Sequence, residues 1–227
     1  MKAEQLRAAL LQQAVQGKLV PQRDDEPAVE QIGDAPDDVP FAIPEKWKWV
    51  YLEVACRYIQ RGKTPKYSAV QEIPVIAQKC NQWDGFHIEK AKFISPDSID
   101  SYKEERLLQD GDVLWNSTGL GTLGRLAIYE TKLNPYGIAV ADGHVTVIRV
   151  NETLLDFRYL YFYLRNPSVQ SVIEDLADGS TKQKELSTKT IKRYPIPLPP
   201  LAEQSRIVAR LNELLPMVDK LAARTVA

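Results

Sequence analysis

The chain has 227 residues, of which 44% are hydrophobic and 26% are charged, and its formal net charge is −1. This composition fits one packed domain with appendages, or two small domains, and excludes a disordered chain. No apolar run reaches 18 residues and the start of the chain lacks a signal-peptide core, so we expect a soluble cytoplasmic protein with no membrane partner, in which Cys56 and Cys80 are reduced residues of the core.

The first predicted element is an amphipathic helix from about Ala3 to Gln16. Its apolar stripe contains Leu6, Leu10, Leu11 and Ala14, and Gly17 is a natural C-terminal stop. An acidic, proline-rich linker follows, with a short helical turn predicted at residues 28–32. The helix cannot bury its apolar stripe alone, so it must pair with another part of the protein.

A compact region begins near Trp47, and its apolar runs are bounded by turn residues. Apolar runs of this kind predict strands. The segment 47–59 opens this region and is followed by a predicted turn at "RGKTP". Strands are predicted at 73–78, 90–95, 111–118, 124–130 and 143–150. Short helical structure is predicted at 100–107, and a longer helix at 156–177 with a break at Asn166-Pro167.

The last predicted helix runs from about Leu201 to Ala223 and follows a proline run, "PIPLPP". Its apolar residues have the 4-3-4-3 spacing of a coiled coil, although Pro216 interrupts the interior. These residues are Ile207, Leu211, Leu214, Val218 and Leu221. Helices at both chain ends, each with one apolar face, indicate pairing with each other or with another chain.

Charge is unevenly distributed. Residues 1–45 carry 4 basic and 9 acidic side chains, whereas residues 46–200 carry 21 basic and 18 acidic ones. Two segments are locally basic: "RYIQRGKTPKY" at 57–67 and "GSTKQKELSTKTIKR" at 179–193. Such patches are typical of phosphate contact, although solvated loops have the same composition.

One glycine motif resembles a dinucleotide-binding loop. Gly119, Gly121 and Gly124 form a literal G-x-G-x-x-G, but a dinucleotide site needs this motif to open a helix. Here the motif leads into a predicted strand, "RLAIYE". We therefore interpret it as a glycine-rich loop between strands that allows close approach of a ligand.

Three further patterns point weakly to catalysis. Residues 134–136, "NPY", match part of the adenine-methyltransferase tetrapeptide but lack its second proline. Pro96-Asp97 with "ETK" at 130–132 fits the loose PD…(D/E)xK pattern of metal-dependent nucleases. His87 and His144 are isolated and lack metal-ligand spacing. The residues alone therefore favour a binding module, with a PxxP peptide ligand in "PLPP" as a remaining alternative.

The chain resembles the specificity subunit of type I restriction–modification systems over almost its whole length. The strongest match is "YPIPLPPLAEQSRIVARLNELLPMVDKL", which is similar to the "IPLPPLxEQxxI" passage from a target-recognition domain into a spacer helix. The segment "LRAALLQQAVQGKLVPQRDDEPA" resembles the family's other conserved segment. "RGKTP", "GDVLWNSTGLGTLGRLAIY" and "DGSTKQKELSTKTIKR" follow in the family's order.

The resemblance implies an α+β protein: one mixed, strand-rich target-recognition domain, plus helices from both chain ends that form a coiled-coil-like spacer. The implied domains are 1–45 (helix and linker), 46–198 (DNA recognition) and 199–227 (spacer helix). One recognition domain instead of two implies a half-subunit, expected to homodimerise on a bipartite DNA site, or a piece of a longer chain.

The resemblance also implies a division of labour. A specificity subunit reads double-stranded DNA, performs no chemistry and binds no cofactor. Methyltransferase subunits with S-adenosylmethionine, and restriction subunits that use ATP and magnesium, dock on it. The alternative is a stand-alone restriction endonuclease or DNA methyltransferase with its own active site.

Candidate DNA-binding residues fall into two groups. Phosphate contacts are expected from the basic patches, at Arg61, Lys63, Lys66, Lys182 and Lys184. Base reading and close approach are expected from polar side chains and glycines of two loops, with Trp83 as a stacking or core residue. The loop candidates are Gln78, Lys79, Asn81, Gln82, Asn116, Ser117, Thr118, Gly119, Gly121 and Arg125.

Overall fold

The computed structural model describes residues 3–119, 121–179 and 184–226, which form two compact units of mixed helix and strand. The terminal unit combines residues up to 55, residues 151–171 and residues from 193 onward. The central unit combines residues 56–150 and 172–192. The residues predicted as one domain at 46–198 are thus shared between the two units, and the functional division at residues 46 and 198 stays a prediction.

The terminal unit contains four helices and a two-stranded antiparallel sheet among the described residues. They are α1 (Ala3–Val15), β1 (Lys48–Tyr51), α2 (Phe157–Leu164), α3 (Pro167–Gln170), β12 (Pro195–Leu198) and α5 (Leu201–Val226). No helix in the described part of the chain is long and apolar enough to cross a bilayer.

Helices α1 and α5 pack against each other, so the ends of the chain meet. On α1, Leu11, Ala14 and Val15 are buried, while Leu6 and Leu10 are half-buried. Arg7 of α1 forms an ion pair with Asp219 of α5 on the surface. The predicted pairing of the two terminal helices is therefore present within the terminal unit.

The buried stripe of α5 differs from the predicted seam. Ile207, Leu211 and Val218 are buried as expected, whereas Leu214 is half-buried and Leu221 is 53% exposed. Val208 and Leu215 are buried in their place, because a straight helix with 3.6 residues per turn drifts away from a strict 3.5-residue repeat. The helix also continues through Pro216.

The first four residues of the proline run, Pro195–Leu198, form strand β12. Ile196 lies opposite Val50 of β1, and Pro197 lies opposite Trp49. Because successive residues of a strand point their backbone groups to opposite sides, the missing N–H groups of alternate prolines fall together on one edge. A two-stranded sheet has such an edge available, so the strand tolerates its prolines.

Among the described residues, the central unit is built from two four-stranded sheets, a small hairpin and a short helix. The elements are β2 (Cys56–Arg61), β3 (Tyr67–Ser68), β4 (Ile73–Ile76), β5 (Asn81–Gln82), β6 (Gly85–Phe86), β7 (Lys92–Ile94), β8 (Val113–Asn116), β9 (Leu126–Ile128), β10 (Val140–Ala141), β11 (Val145–Val150) and α4 (Thr188–Lys192). The first sheet has the antiparallel order β2-β11-β8-β9, and the second has the order β10-β4-β7-β3, in which β10 and β4 are parallel. Strands β5 and β6 form the hairpin.

A buried ion pair fixes the first sheet of the central unit. Arg149 of β11 donates to both carboxylate oxygens of Asp112 from Nε and Nη2, each at 2.8 Å. Its guanidinium also donates to the carbonyl of Leu107 at 3.0 Å and lies over the ring of Tyr58. Burial raises the pKa of Asp112 despite the contact with Arg149, so desolvation outweighs pairing at this carboxylate.

Several local predictions differ from the structure. Residues 28–32 form no helical turn, and Val29 N donates to Lys46 O. The segment 100–107 contains the end of one 3-10 turn, at Pro96–Ser101, and a second one, at Glu104–Arg106, in place of one helix. The predicted helix at 156–177 ends at Gln170, and turns follow. Both cysteines are free, and only Cys80 is fully buried.

Candidate nucleic-acid interface

Two loops of the central unit carry most of the predicted base-reading residues. The β5–β6 hairpin turns at Trp83 and Asp84, and Trp83 is 44% exposed, so this ring is not the core residue that the sequence favoured. The glycine loop (residues 117–125) joins β8 to β9, as the sequence predicted. Gly119 has a φ of +101°, a conformation that favours glycine.

Gln78 attaches the glycine loop to the segment that precedes the hairpin. Its Nε2 donates to the carbonyl of Thr118 and lies 3.2 Å from the hydroxyl of Thr122. A side chain at Gly119 would collide with this amide. The glycine is therefore required both by its φ angle and by the close approach of Gln78.

Asn81 and Asn116 form a buried bridge between the two loops. Asn81 Nδ2 donates to Asn116 Oδ1 at 2.8 Å, and Asn116 Nδ2 donates to the carbonyl of Gln78 at 3.1 Å. Both asparagines, and Ser117 beside them, are completely buried. In this conformation they offer no surface to a base, so the structure assigns them to positioning the loops.

Gln82 and Arg125 form a second bridge that is closer to solvent. Arg125 Nη1 donates to Gln82 Oε1 at 2.8 Å, and Nη2 donates to the carbonyl of Gly121 at 2.8 Å. Gln82 Nε2 in turn donates to the carbonyl of Lys79 at 2.7 Å. Both side chains are half-buried, while Lys79 and Gly121 are exposed. The bridge between Gln82 and Arg125 is therefore partly accessible to solvent, whereas the bridge between Asn81 and Asn116 is not.

The two basic segments predicted from the sequence meet beside the glycine loop. Arg61 at the end of β2 forms an ion pair with Glu185, and its Nε donates to the carbonyl of Gly143 at 2.8 Å. Glu185 pairs through its backbone with Thr118 of the glycine loop. The basic segments and the glycine loop therefore share one surface of the central unit, which we call the polar face.

The remaining basic candidates have different surroundings. Lys63 is exposed, donates to the carbonyl of Ser101 at 3.1 Å and lies over the ring of Tyr102. Lys66 is exposed. Lys184 is half-buried and donates to the carbonyl of Glu174 at 2.7 Å. Lys182 lies outside the described residues.

Sequence reasoning missed four residues that belong to the polar face. Thr122 bonds Gln78, and the exposed His144 bonds Thr118. Tyr67 is half-exposed and donates from its hydroxyl to Asp142 at 3.2 Å. Asp142 also accepts from the backbone N–H of His144 at 2.9 Å. For these four residues the sequence offered one signal, which was the position of the isolated His144 between Gly143 and a predicted strand.

His87 lies beside the hairpin, between two carboxylates. Its Nδ1 lies 2.7 Å from Glu89 Oε1, and its Nε2 lies 3.1 Å from Asp84 Oδ1. Hydrogen bonds to Glu89 and then to Asp84 raise the pKa of His87. Bonds to His87 also contribute to the lowered pKa values of Asp84 and Glu89, because a hydrogen bond to the charged form of a group favours that form.

The patterns that pointed to catalysis find little support in the structure. Glu130 and Lys132 form an exposed ion pair, and Asp97 is exposed in a 3-10 turn. Among the residues that the structure describes, no three His, Cys, Asp or Glu side chains cluster to hold a metal. Asn134 of the "NPY" segment is buried and bonds the hydroxyl of Tyr129 at 2.8 Å, so it shapes its own turn.

Comparisons with known proteins cover this same region. A family model described as the type I restriction modification DNA specificity domain matches residues 44–222. The type I restriction enzyme EcoEI specificity subunit of Escherichia coli is 27% identical over 248 residues, which cover 96% of this chain. The EcoAI specificity subunit of the same organism shows the same identity and coverage. The chain spans only 40% of the length of either relative.

Solved structures show the same fold. The HsdS subunit from Thermoanaerobacter tengcongensis superimposes with a TM-score of 0.60 at 20% identity, covering 99% of this chain and 46% of that one. The type I restriction-modification S subunit from M. genitalium gives a TM-score of 0.52 at 13% identity, covering 87% and 44% of the two chains.

Proposed function

The chain belongs to the family of type I restriction modification DNA specificity domains, and we propose that it is the sequence-reading part of a type I restriction–modification complex. In this role it binds double-stranded DNA, performs no chemistry and directs partner subunits to a bipartite target. The observation that carries the proposal is the polar face, which gathers residues of several distant segments into one compact unit.

Affinity comes from cations on this face. Lys63 and Lys66 are exposed, and Arg61 lies beside them at the end of β2. Lysine and arginine bind DNA by neutralising phosphates and releasing counterions, which makes binding salt-dependent. Glu185 compensates the charge of Arg61 in the free protein. We propose that a phosphate takes its place when DNA binds.

Recognition of the DNA sequence comes from the half-exposed side chains of the hairpin and the glycine loop. Gln82 and Arg125 carry amide and guanidinium groups of the kind that recognise base edges in the major groove. Trp83 at the hairpin tip supplies an exposed apolar surface. The buried residues Asn81, Asn116 and Ser117 hold the two loops in position. They affect specificity indirectly, because they determine where the half-exposed side chains lie.

The partners follow from the family and from the relatives, which are named as specificity subunits of type I restriction enzymes. We propose methyltransferase and restriction subunits as protein partners, in the cytoplasm. S-adenosylmethionine, ATP and magnesium are expected on those subunits and not on this chain. For the alternative of a stand-alone endonuclease, the described residues contain no cluster of three His, Cys, Asp or Glu side chains that could hold its metal.

We further propose a homodimer in which α1 and α5 form the spacer between two recognition domains. The exposed side of α5 supports this pairing, because Met217 and Leu221 are 51% and 53% exposed at adjacent turns. Apolar residues four apart share one face of a helix and gain from burial against a second helix.

The proposed role in DNA recognition is tested by measuring DNA binding at several salt concentrations. A fluorescent duplex with randomised sequence is titrated with the full chain at several salt concentrations, and anisotropy is measured. Lys63→Glu is expected to weaken binding at low salt by roughly tenfold or more and to flatten the salt dependence by about one unit. Binding unaffected by Lys63→Glu would remove this surface from the proposal.

Lys132→Glu is the matched control. Lys132 is also an exposed lysine, but it follows β9 and so lies at the far end of the β8–β9 hairpin from the glycine loop. The same charge change there is expected to leave DNA affinity within about twofold of the original protein. Cleavage or methylation of DNA by the purified chain, given magnesium and S-adenosylmethionine, would contradict a non-catalytic role.

A further inference from the structure

The backbone N–H and the backbone carbonyl of His144 are both hydrogen-bonded to neighbouring residues. It lies in the turn between β10 and β11, where its N–H donates to Asp142 Oδ1 at 2.9 Å. Its carbonyl accepts from the N–H of Ser117 at 3.0 Å and from the hydroxyl of Ser117 at 3.2 Å. Asp142 and Ser117 are both buried, so the exposed residue His144 stands on a fixed base.

The ring of His144 is oriented by a chain of hydrogen bonds. Its Nδ1 lies 2.8 Å from the hydroxyl of Thr118. Gln78 places its amide nitrogen against the carbonyl of Thr118, which only accepts, and the same nitrogen lies 3.3 Å from the Thr118 hydroxyl. With Gln78 donating to the hydroxyl oxygen, the hydrogen of the hydroxyl is available to Nδ1.

This arrangement favours one tautomer of His144. When Nδ1 accepts the Thr118 hydrogen, the proton of the neutral ring is on Nε2, and the protonated ring also carries one there. The two nitrogens lie on opposite sides of the imidazole, so the Nε2–H points away from Thr118. His144 thus presents a donor outward from the polar face in either protonation state.

Nearby carboxylates do not compete for this donor. Asp142 uses one oxygen for the backbone of His144 and the other for the hydroxyl of Tyr67. Glu185 is occupied by Arg61, which also bonds the carbonyl of the preceding residue, Gly143. The outward donor therefore sits beside a cation and close to the glycine loop.

We propose that His144 donates from Nε2 to an acceptor of bound duplex DNA, and that Thr118 is the positioning residue that aims the ring. The inference rests on the proposed function. The acceptor is a phosphate oxygen or a purine acceptor, N7 or guanine O6, at the edge of a base pair.

The experiment first selects duplexes from a randomised library with the full-length original chain. Affinity for a selected duplex is then measured for His144→Ala, Thr118→Val, Thr118→Ser and the double variant His144→Ala/Thr118→Val. His144→Ala and Thr118→Val are expected to bind roughly tenfold more weakly, as for a lost hydrogen bond to a charged or base acceptor. Thr118→Ser keeps the hydroxyl and is expected to retain affinity.

Non-additivity separates aiming from general structural damage. In the double variant we expect no further loss beyond that of His144→Ala, because Thr118 acts through the ring. Thr131→Val is the matched control, since its hydroxyl bonds Asp110 at 2.9 Å at the far end of the same hairpin. Its affinity is expected to be unchanged, and thermal unfolding checks that each variant is folded.

Repeating the selection with His144→Ala identifies the acceptor. An unchanged consensus with uniformly weaker binding indicates a phosphate, and a consensus altered at one base pair indicates a base edge. Original affinity and an unchanged consensus in His144→Ala would overturn the inference, as would full additivity in the double variant. If the original chain binds no DNA, the proposed function itself fails, which is distinguishable from either result.

Discussion

The phenolic oxygen of Tyr159 donates a hydrogen bond to the carbonyl of Pro197 at 3.1 Å inside the terminal unit. Tyr163, one helical turn later on α2, donates to Pro195 in the same way at 2.8 Å. Alternate prolines of β12 thus turn their carbonyls away from β1 and toward α2. The missing N–H groups lie on this same side, so no ladder hydrogen bond with β1 is lost.

Tyr159→Phe is expected to lower the free energy of unfolding by about 1 kcal/mol, because it leaves the buried Pro197 carbonyl without a donor. Urea unfolding followed by circular dichroism measures the change. Tyr136→Phe is the control, since Tyr136 is 39% exposed and its loss of a hydroxyl should matter little. Equal unfolding midpoints for the two variants would contradict the contribution of this bond.

Arg149→Met is expected to destabilise the central unit by about 3–5 kcal/mol, because it leaves the Asp112 carboxylate buried without its cation. Adding Asp112→Asn removes the buried charge and should recover a large part of the loss. Denaturant unfolding of both variants measures the difference. A double variant no more stable than Arg149→Met would contradict the charge-based explanation.

The Arg149→Met effect should also depend on pH. The pKa of Asp112 is raised in the folded protein by burial, so the folded state holds this proton more tightly than the unfolded state. Ionisation therefore costs stability as pH rises above the ordinary pKa of aspartate. Without Arg149 this cost grows, and we expect a larger stability loss at neutral pH than near pH 4.

Asn116→Ala is expected to cost about 1–3 kcal/mol of stability, since it leaves the buried amide of Asn81 without its partner and removes one of the two donors to the carbonyl of Gln78. Gln82→Ala removes a half-exposed amide and should change stability by less than about 0.5 kcal/mol. Unfolding and DNA selection on both variants separate the two roles. A large stability loss from Gln82→Ala, or none from Asn116→Ala, would reverse the assignment.

The titration of His87 in NMR spectra tests its two carboxylate contacts. His87 is expected to have a pKa above its ordinary value, because bonds to Glu89 and Asp84 favour its protonated form. Glu89→Gln should lower the pKa of His87 more than Asp84→Asn does. Since the folded pKa is raised, the associated stability is present at acid pH and is lost as pH rises through it. An unshifted His87 would contradict the two contacts.

Substitutions at two leucines of α5 distinguish packing within the chain from pairing between two chains. Leu211→Ala removes a fully buried side chain and should cost about 2–5 kcal/mol in unfolding. Leu221 is 53% exposed, so Leu221→Asp should change monomer stability little but reduce the mass in solution if chains pair there. Sedimentation measures this mass. A monomeric original protein would contradict the proposed homodimer.

Periodic apolar patterns predicted the longer elements well. Helix α1 and strands β4, β8 and β11 lie where apolar residues recur at helical or strand spacing. The two-residue strands of the hairpin were not predicted, because they are too short to show a period. Residues 171–177 were predicted as helix, but they form turns, since local composition does not determine where tertiary packing ends a helix.

The candidate surface was predictable in its composition and less so in its geometry. Glycine and lysine content predicted the glycine loop and the basic segments, and the structure brings these together. The sequence offered no signal that Asn81 faces inward while Gln82, its neighbour, reaches the surface. In a strand this alternation depends on register, and register is determined by the partner strand. The role of His144 likewise requires a neighbour that is 26 residues away.

The contact between Arg7 and Asp219 joins residues that are 212 positions apart. Helix α1 is synthesised well before α5, a helix that packs against it. Contacts of such high sequence separation form late and slow the folding of a domain. The terminal unit therefore cannot close until α5 has been synthesised, and until then α1 keeps an apolar stripe exposed that a chaperone can bind.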